Sequence, residues 1–144
     1  MTSSNTSPAH RADDRPIRLE RAGTGQHVVH GVYGLVLSNG RTLHHVTLTW
    51  AAARPYIVIV SLTDMTTGDT RHWYLPRDLL SDGGRRGTLK VDHAGNITFL
   101  EATGDTGITW ISLSRAWMAQ YLTATETALT PQSHEADLDI EPPF

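Results

Sequence analysis

Four groups of side chains in this sequence are of types that do chemistry, and each makes a geometric demand on its neighbours. Asp105-Thr106-Gly107 is the tripeptide that carries the catalytic aspartate in small dimeric aspartic proteases. That chemistry needs an apolar strand running straight into the aspartate, so that two copies meet and share one proton. Thr103-Gly104 stand in that place, and the segment reads instead as a glycine-rich hairpin turn in which an Asp tolerates left-handed geometry. The eight histidines raise the question of a metal. On a strand, ligands must lie two residues apart on one face, as neutral imidazoles with partners behind them. His44 and His45 are adjacent and point to opposite faces, and His27 and His30 have an odd spacing with no nearby carboxylate. They read as solvated strand-end histidines, and no metal site is expected.

Arg77 beside Asp78 has the form of an acid-base pair, yet an ion pair and a charged helix start need the same two residues, so they read as structural. The fourth group is Arg71, His72, Trp73, Arg85, Arg86 and Lys90, a local basic cluster with an aromatic inside it. That combination is the pattern of a single-stranded nucleic-acid platform, in which phosphates meet cations and bases stack on rings. The net charge of −3 gives no general pull toward polyanions. Two arginines in a glycine-rich loop also read as a solvated loop.

The sequence has no Gly-x-Ser-x-Gly elbow, Walker loop, dinucleotide fingerprint or His-Glu-x-x-His. Cysteine is absent, which excludes disulfides, thiol catalysis and thiolate metal centres and suits a reducing compartment. No enzyme and no cofactor is expected, and the expected setting is cytoplasmic. The apolar runs are far shorter than the ~20 residues a membrane helix needs, so no membrane insertion is expected.

The elements that position these groups follow from period and turn chemistry. Residues 1–25 are polar with mixed charges and read as a disordered tail. Strands are expected at 28–37 and 42–50, joined by the Asn39-Gly40 hairpin signal. The run 56–62 is apolar on both faces, which calls for cover by a helix or a neighbouring subunit. A strand at 70–75 leads into a short helix at 77–81, then an open glycine-rich loop at 83–87. Strands at 88–92, 97–102 and 108–113 follow, and then a helix capped by Ser114 with Leu113, Trp117, Tyr121 and Leu122 on its apolar face. Pro131 is expected to end it, leaving 131–144 as an acidic tail and 26–130 as one domain. The order strands, helix, strands, helix is an α+β plan of two antiparallel sheets, each followed by a helix.

One segment has a recognisable order, Trp73-Tyr74-Leu75-Pro76-Arg77-Asp78-Leu79-Leu80-Ser81-Asp82-Gly83. Around it stand Leu48-Thr49-Trp50 with Pro55-Tyr56-Ile57-Val58, the strand Gly87-Thr88-Leu89-Lys90-Val91, the helix from Ser114-Arg115-Ala116-Trp117 to Leu122-Thr123, and Leu129-Thr130-Pro131 before Asp137-Leu138-Asp139. On these residues the stretch from roughly 46 to 140 resembles the SsgA-like proteins, small actinobacterial factors that control sporulation-specific cell division. It departs from their pattern at Ala51, Arg54 and Leu75-Pro76, which marks a divergent member.

The resemblance implies a whirly-like fold, assembly as a homo-oligomer, a trimer, and a non-enzymatic role in septum placement through protein contacts. In the best-understood members of such a family the implied role is to localise the division machinery, including the tubulin-like protein FtsZ, at sporulation septa. The motif residues Pro55, Tyr56, Trp73, Arg77, Asp78, Leu79 and Leu80 are expected to act as fold determinants, with Trp73 and Leu79 in the core. Whirly-type folds also include nucleic-acid binders, so the rival reading is a single-stranded nucleic-acid module using Arg71, Arg85, Arg86 and Lys90.

Overall fold

The computed structural model describes residues 15–21 and 27–140, with side chains for 15–20 and 27–129. Strands β2 (His27–Ser38) and β3 (Thr42–Ala51) form the hairpin signalled by Asn39-Gly40, whose backbones take left-handed φ values of 53° and 69°. A bulge between Val32 and Gly34 leaves Tyr33 unpaired, its ring in the core on the same face as Val29 and Gly31. β4 (Ile57–Asp64) and β5 (Thr70–Pro76) extend the sheet on one side and β1 (Ile17–Arg21) on the other, giving the order β1-β2-β3-β4-β5. Helix α1 (Arg77–Asp82) leads to a second sheet of β6 (Gly84–Arg86), β7 (Leu89–Ala94), β8 (Ile97–Gly104) and β9 (Gly107–Ser114) in that order. Helix α2 (Arg115–Ile140) closes the chain. Every strand pairing is antiparallel. The expected plan of two sheets, each followed by a helix, is the one found.

The inner face of the first sheet buries Val29, Leu48, Trp50, Val60 and Leu75 against α2 and the second sheet, which contributes Leu100 and Ile111. Trp73 and Leu79 belong to this core, at 8% and 3% exposure, as expected. Trp117 and Tyr121 of α2 stack with ring centroids 5.7 Å apart, and Tyr33 meets Trp117 edge-on at 5.0 Å. They lie against Gly31, which has no side chain to hold the helix away from the sheet. At the hairpin tip Asn39 joins the two sheets. Its amide donates to the Trp110 carbonyl at 2.9 Å, and its side chain accepts from the Trp110 amide at 2.7 Å and donates to the Ile108 carbonyl at 3.0 Å.

Several expectations change. The expected N-terminal tail contains β1, because Ile17 and Leu19 alternate with Arg18 and Glu20 in a period of two that the charges disguise. Ile17 pairs with Gly31, and the rest of that segment lies outside the described residues. The expected open loop at 83–87 contains β6, paired with β7 from Gly84↔Val91 to Arg86↔Leu89. Leu113 ends a strand instead of sitting on the helix. Pro131 lies inside α2, which runs on to Ile140, so the expected tail begins as helix. A proline there removes the single N–H that would reach back to Thr127, while Gln132, Glu135 and Ala136 beyond it are good helix formers. β4 buries Val58, Val60 and Leu62 on one face only, and Ile57 and Ile59 on its other face are half-buried. Among the described residues no helix is long and apolar enough to cross a membrane.

Candidate functional site

The signature segment builds a junction. Pro76 closes β5 with φ −58° and ψ 136°, an extended geometry that caps the start of α1. The Arg77 amide donates to the Tyr56 carbonyl at 2.8 Å, tying α1 to the turn before β4. Leu79 and Leu80 face the core, and Gly83, at φ 82°, ends the helix by donating to the Leu79 carbonyl at 2.8 Å. Pro55 takes part through its carbonyl, which accepts the Trp50 indole N–H at 2.9 Å. Tyr56 takes part through its carbonyl alone, since the residue is otherwise 80% exposed.

The two charged signature residues have separate partners, so the side-by-side pair read from the sequence does not form. Arg77 points across to α2, where Nε donates to Thr125 Oγ1 at 2.7 Å and Nη2 to the Leu122 carbonyl at 2.9 Å. Glu126 lies 3.5 Å from the same guanidinium, at the exposed end of the contact. Asp78 instead accepts both arms of Arg86, at 3.2 and 3.3 Å. That guanidinium holds the Asp78 carboxyl below its ordinary value. The helix and the β6 edge are thereby linked.

Between α1, β7 and α2 lies a cleft of about 290 Å³. Leu80, Met118 and Leu122 form its apolar part, and Arg77, Arg115, His93 and Glu126 its polar rim. His93 is fully engaged there. Because a carbonyl can only accept, its Nε2 carries the proton donated to Leu80 at 3.0 Å, and its Nδ1 accepts from Thr98 Oγ1 at 2.8 Å. The cleft therefore holds Ser81 without an imidazole free to activate it. Arg115, at the start of α2, donates Nη1 to the Gly95 carbonyl at 3.2 Å. Sequence reading missed Arg115, Met118 and Leu122 as a set; the signal was their helical spacing of three and four, which mixes a cation with apolar groups on one face. Below the cleft Tyr121 donates to the Val29 carbonyl at 2.8 Å, and burial pushes its phenol well up from the usual range.

The basic cluster read from the sequence is divided. Arg85 and Lys90 are paired across β6 and β7, and Glu101 continues that row on β8, 3.8 Å from Arg85. Arg86 is held by Asp78, Arg71 stands on the other sheet opposite Leu62, and Trp73 is buried and offers no stacking face. Lys90 shares its face with a ring pair absent from the sequence reading, Phe99 and Trp110 at 6.1 Å. These line a shallow pocket of about 240 Å³ together with Asp92 and Glu101.

Asp105-Thr106-Gly107 is the expected turn, between β8 and β9. The histidines lie apart. His30, His44 and His72 hydrogen-bond Thr49, Ser38 and Ser61, and among the described residues no cluster of three metal-ligating side chains occurs. His27 departs from the expected solvated state: it is buried at 7% exposure and donates Nδ1 to the Ala128 carbonyl of α2 at 3.2 Å.

Residues 45–135 match the family described as Streptomyces sporulation and cell division protein, SsgA. The fold is similar to that of a solved chain reported with mutations in SsgB that correlate with longitudinal cell division during sporulation of Streptomyces coelicolor. The two share 18% identity at a TM-score of 0.62, over 77% of this chain and 95% of that one. It is also similar to an SsgA-like sporulation-specific cell division protein from Thermobifida fusca, with 16% identity and a TM-score of 0.54, over 74% of this chain and 86% of that one. No curated protein matches the sequence.

Proposed function

The chain belongs to the SsgA family of sporulation and cell division proteins, and from that premise we propose that it is a non-enzymatic regulator of sporulation-specific septation that works through protein contacts. The observation that carries the mechanism is the state of the cleft beside the signature. Its histidine has both ring nitrogens committed and its Arg77 is tied to α2, so it offers recognition groups without a free imidazole. The setting proposed is the cytoplasm at division septa, and the partner a protein of the division machinery.

Assembly as a homo-oligomer, a trimer, is part of the proposal. The outer face of the first sheet supports it, since Leu37 pairs with Leu43, and the Met65 amide donates to the Leu43 carbonyl at 3.0 Å. Their exposures of 51%, 40% and 51% leave an apolar row open at one end of the sheet.

The test is replacement of the gene in a sporulating actinobacterial host, with septa imaged in spore-forming hyphae. Misplaced or missing septa are expected on deletion, with rescue by the parent chain. Normal septation in the deletion strain overturns the reading. The second reading, a single-stranded nucleic-acid module, is favoured by Phe99 and Trp110 beside Lys90 and Arg85. Asp92 and Glu101 on the same face oppose it. A low-salt titration of a labelled single strand separates the two: the division-factor reading expects a flat signal, and the rival expects binding that collapses as salt rises by about one unit of slope per phosphate contact.

A further inference from the structure

The cleft between α1, β7 and α2 has a charge opposite to that of the chain. The whole sequence carries −3, whereas the cleft presents the two guanidiniums of Arg77 and Arg115 against one carboxylate, Glu126. The two guanidiniums are not used up. Arg77 bonds through Nε and Nη2 and Arg115 through Nη1, which leaves Nη1 of Arg77 and Nη2 of Arg115 without a hydrogen bond among the described residues. Glu126, with a side chain 70% exposed, is the one acid at the Arg77 end and is displaceable by an incoming carboxylate. Between the cations lies the half-buried Leu122, over a floor made by the buried Met118. A fitting ligand has carboxylates separated by apolar side chains, since a guanidinium fork recognises a carboxylate and the apolar surface takes what lies between.

The chain itself contains such a segment, Glu135-Ala136-Asp137-Leu138-Asp139-Ile140-Glu141, in which acids alternate with apolar residues. We propose that the cleft binds this acidic segment of a second copy of the chain. Its own segment is out of reach. Residues 137–140 belong to α2, the same helix that lines the cleft from Arg115 to Glu126. With a rise of about 1.5 Å per residue, Asp137 stands about 16 Å beyond Glu126 along that helix and cannot turn back onto it. Docking therefore links one copy to the next, head to tail. This contact goes beyond the division role and stands or falls without it.

The test is a fluorescence-anisotropy titration of a labelled synthetic peptide spanning residues 133–141 with the full-length protein at low salt. A Kd of about 10–100 µM is expected, the range of a short charged segment on a shallow cleft, weakening as salt rises. Arg115→Glu is expected to weaken it at least tenfold, as is a peptide with its four acids replaced by Asn and Gln. Arg115 and Thr123 are exposed, so Thr123→Glu supplies a second variant that brings negative charge to the lip without disturbing the core. Far-UV circular dichroism checks that both variants fold. Absence of parent binding up to about 1 mM peptide, or equal binding by the charge-reversed variants or the neutral peptide, overturns the proposal.

Discussion

Gly31→Ala is a small change with a large expected effect, because helix α2 rests on that backbone. A Cβ added at Gly31 would stand 2.9 Å from Trp117 Cη2, 3.0 Å from Trp117 Cζ2 and 2.9 Å from Tyr121 Cδ1. Favourable carbon contacts lie at about 3.5–4.0 Å, so two rings must move by more than half an ångström. Both are held: Tyr121 donates to the Val29 carbonyl at 2.8 Å, and Trp117 donates its indole N–H to the Arg15 carbonyl at 3.3 Å with Tyr33 against its edge. Overpacking of this kind costs about 1–3 kcal/mol. Loss of chain freedom in the unfolded state offsets about 0.4–1 kcal/mol of that. A net destabilisation of about 1–2 kcal/mol lowers Tm by roughly 4–8 °C for a domain of this size. Thermal unfolding followed by circular dichroism reads it. Trp117→Phe withdraws the two indole carbons that clash, so the double variant is expected to be more stable than the sum of the singles by at least about 0.5 kcal/mol. An unchanged or raised Tm in Gly31→Ala, or strict additivity in the cycle, refutes the close packing of α2 on this glycine.

Arg77→Lys keeps the charge but not the fork that reaches Thr125 and Leu122 together, so a urea midpoint lowered by about 1.5–3 kcal/mol of stability is expected. Glu126→Gln, which touches only the exposed end of the same group, is expected to stay within about 0.5 kcal/mol. Asp64 accepts the Thr66 and Thr67 amides at 2.8 and 3.1 Å, and these bonds lower its carboxyl from the ordinary 3.8. Since the folded value is the depressed one, the stabilisation is full above 3.8 and is lost as pH falls through the folded value. The Tm gap between the parent and Asp64→Ala is therefore expected to hold from neutral pH down to about 4 and to close as pH falls further, through the lowered folded value; a gap that persists at the acid end overturns the role of the charged carboxylate.

The fold was legible where one local rule spoke alone. Asn39-Gly40 specified a turn needing two left-handed residues, and it is one. Ser114 marked a helix start, and its Oγ accepts the Trp117 amide at 3.1 Å. Reading failed where short elements owe their existence to a neighbour. β1 and β6 span five and three residues, too few for a period to stand out, and each exists because a longer strand offers it a free edge. His27 was misread for a related reason. Its burial depends on the Ala128 carbonyl of a helix about a hundred residues away, a distance over which local sequence carries no information.

The site was legible by type and not by partner. Trp73 and Leu79 lie in the core, but Arg77 and Asp78, adjacent in sequence, diverge because α1 places one toward α2 and the other toward β6. Most of the signature is committed: Trp73, Leu79 and Leu80 are buried, Asp78 is bonded to Arg86, and Arg77 keeps one nitrogen, while Tyr56 and Tyr74 stay exposed. In the proposed cleft the groups that remain accessible along α2 are Arg115 and Leu122, with Met118 buried beneath them. A binding surface assembled this way carries no motif of its own, since its residues come from a helix whose other face is fixed by packing on Gly31. The signature thus marks the scaffold, and the proposed recognition surface draws on side chains three and four residues apart on the helix opposite it.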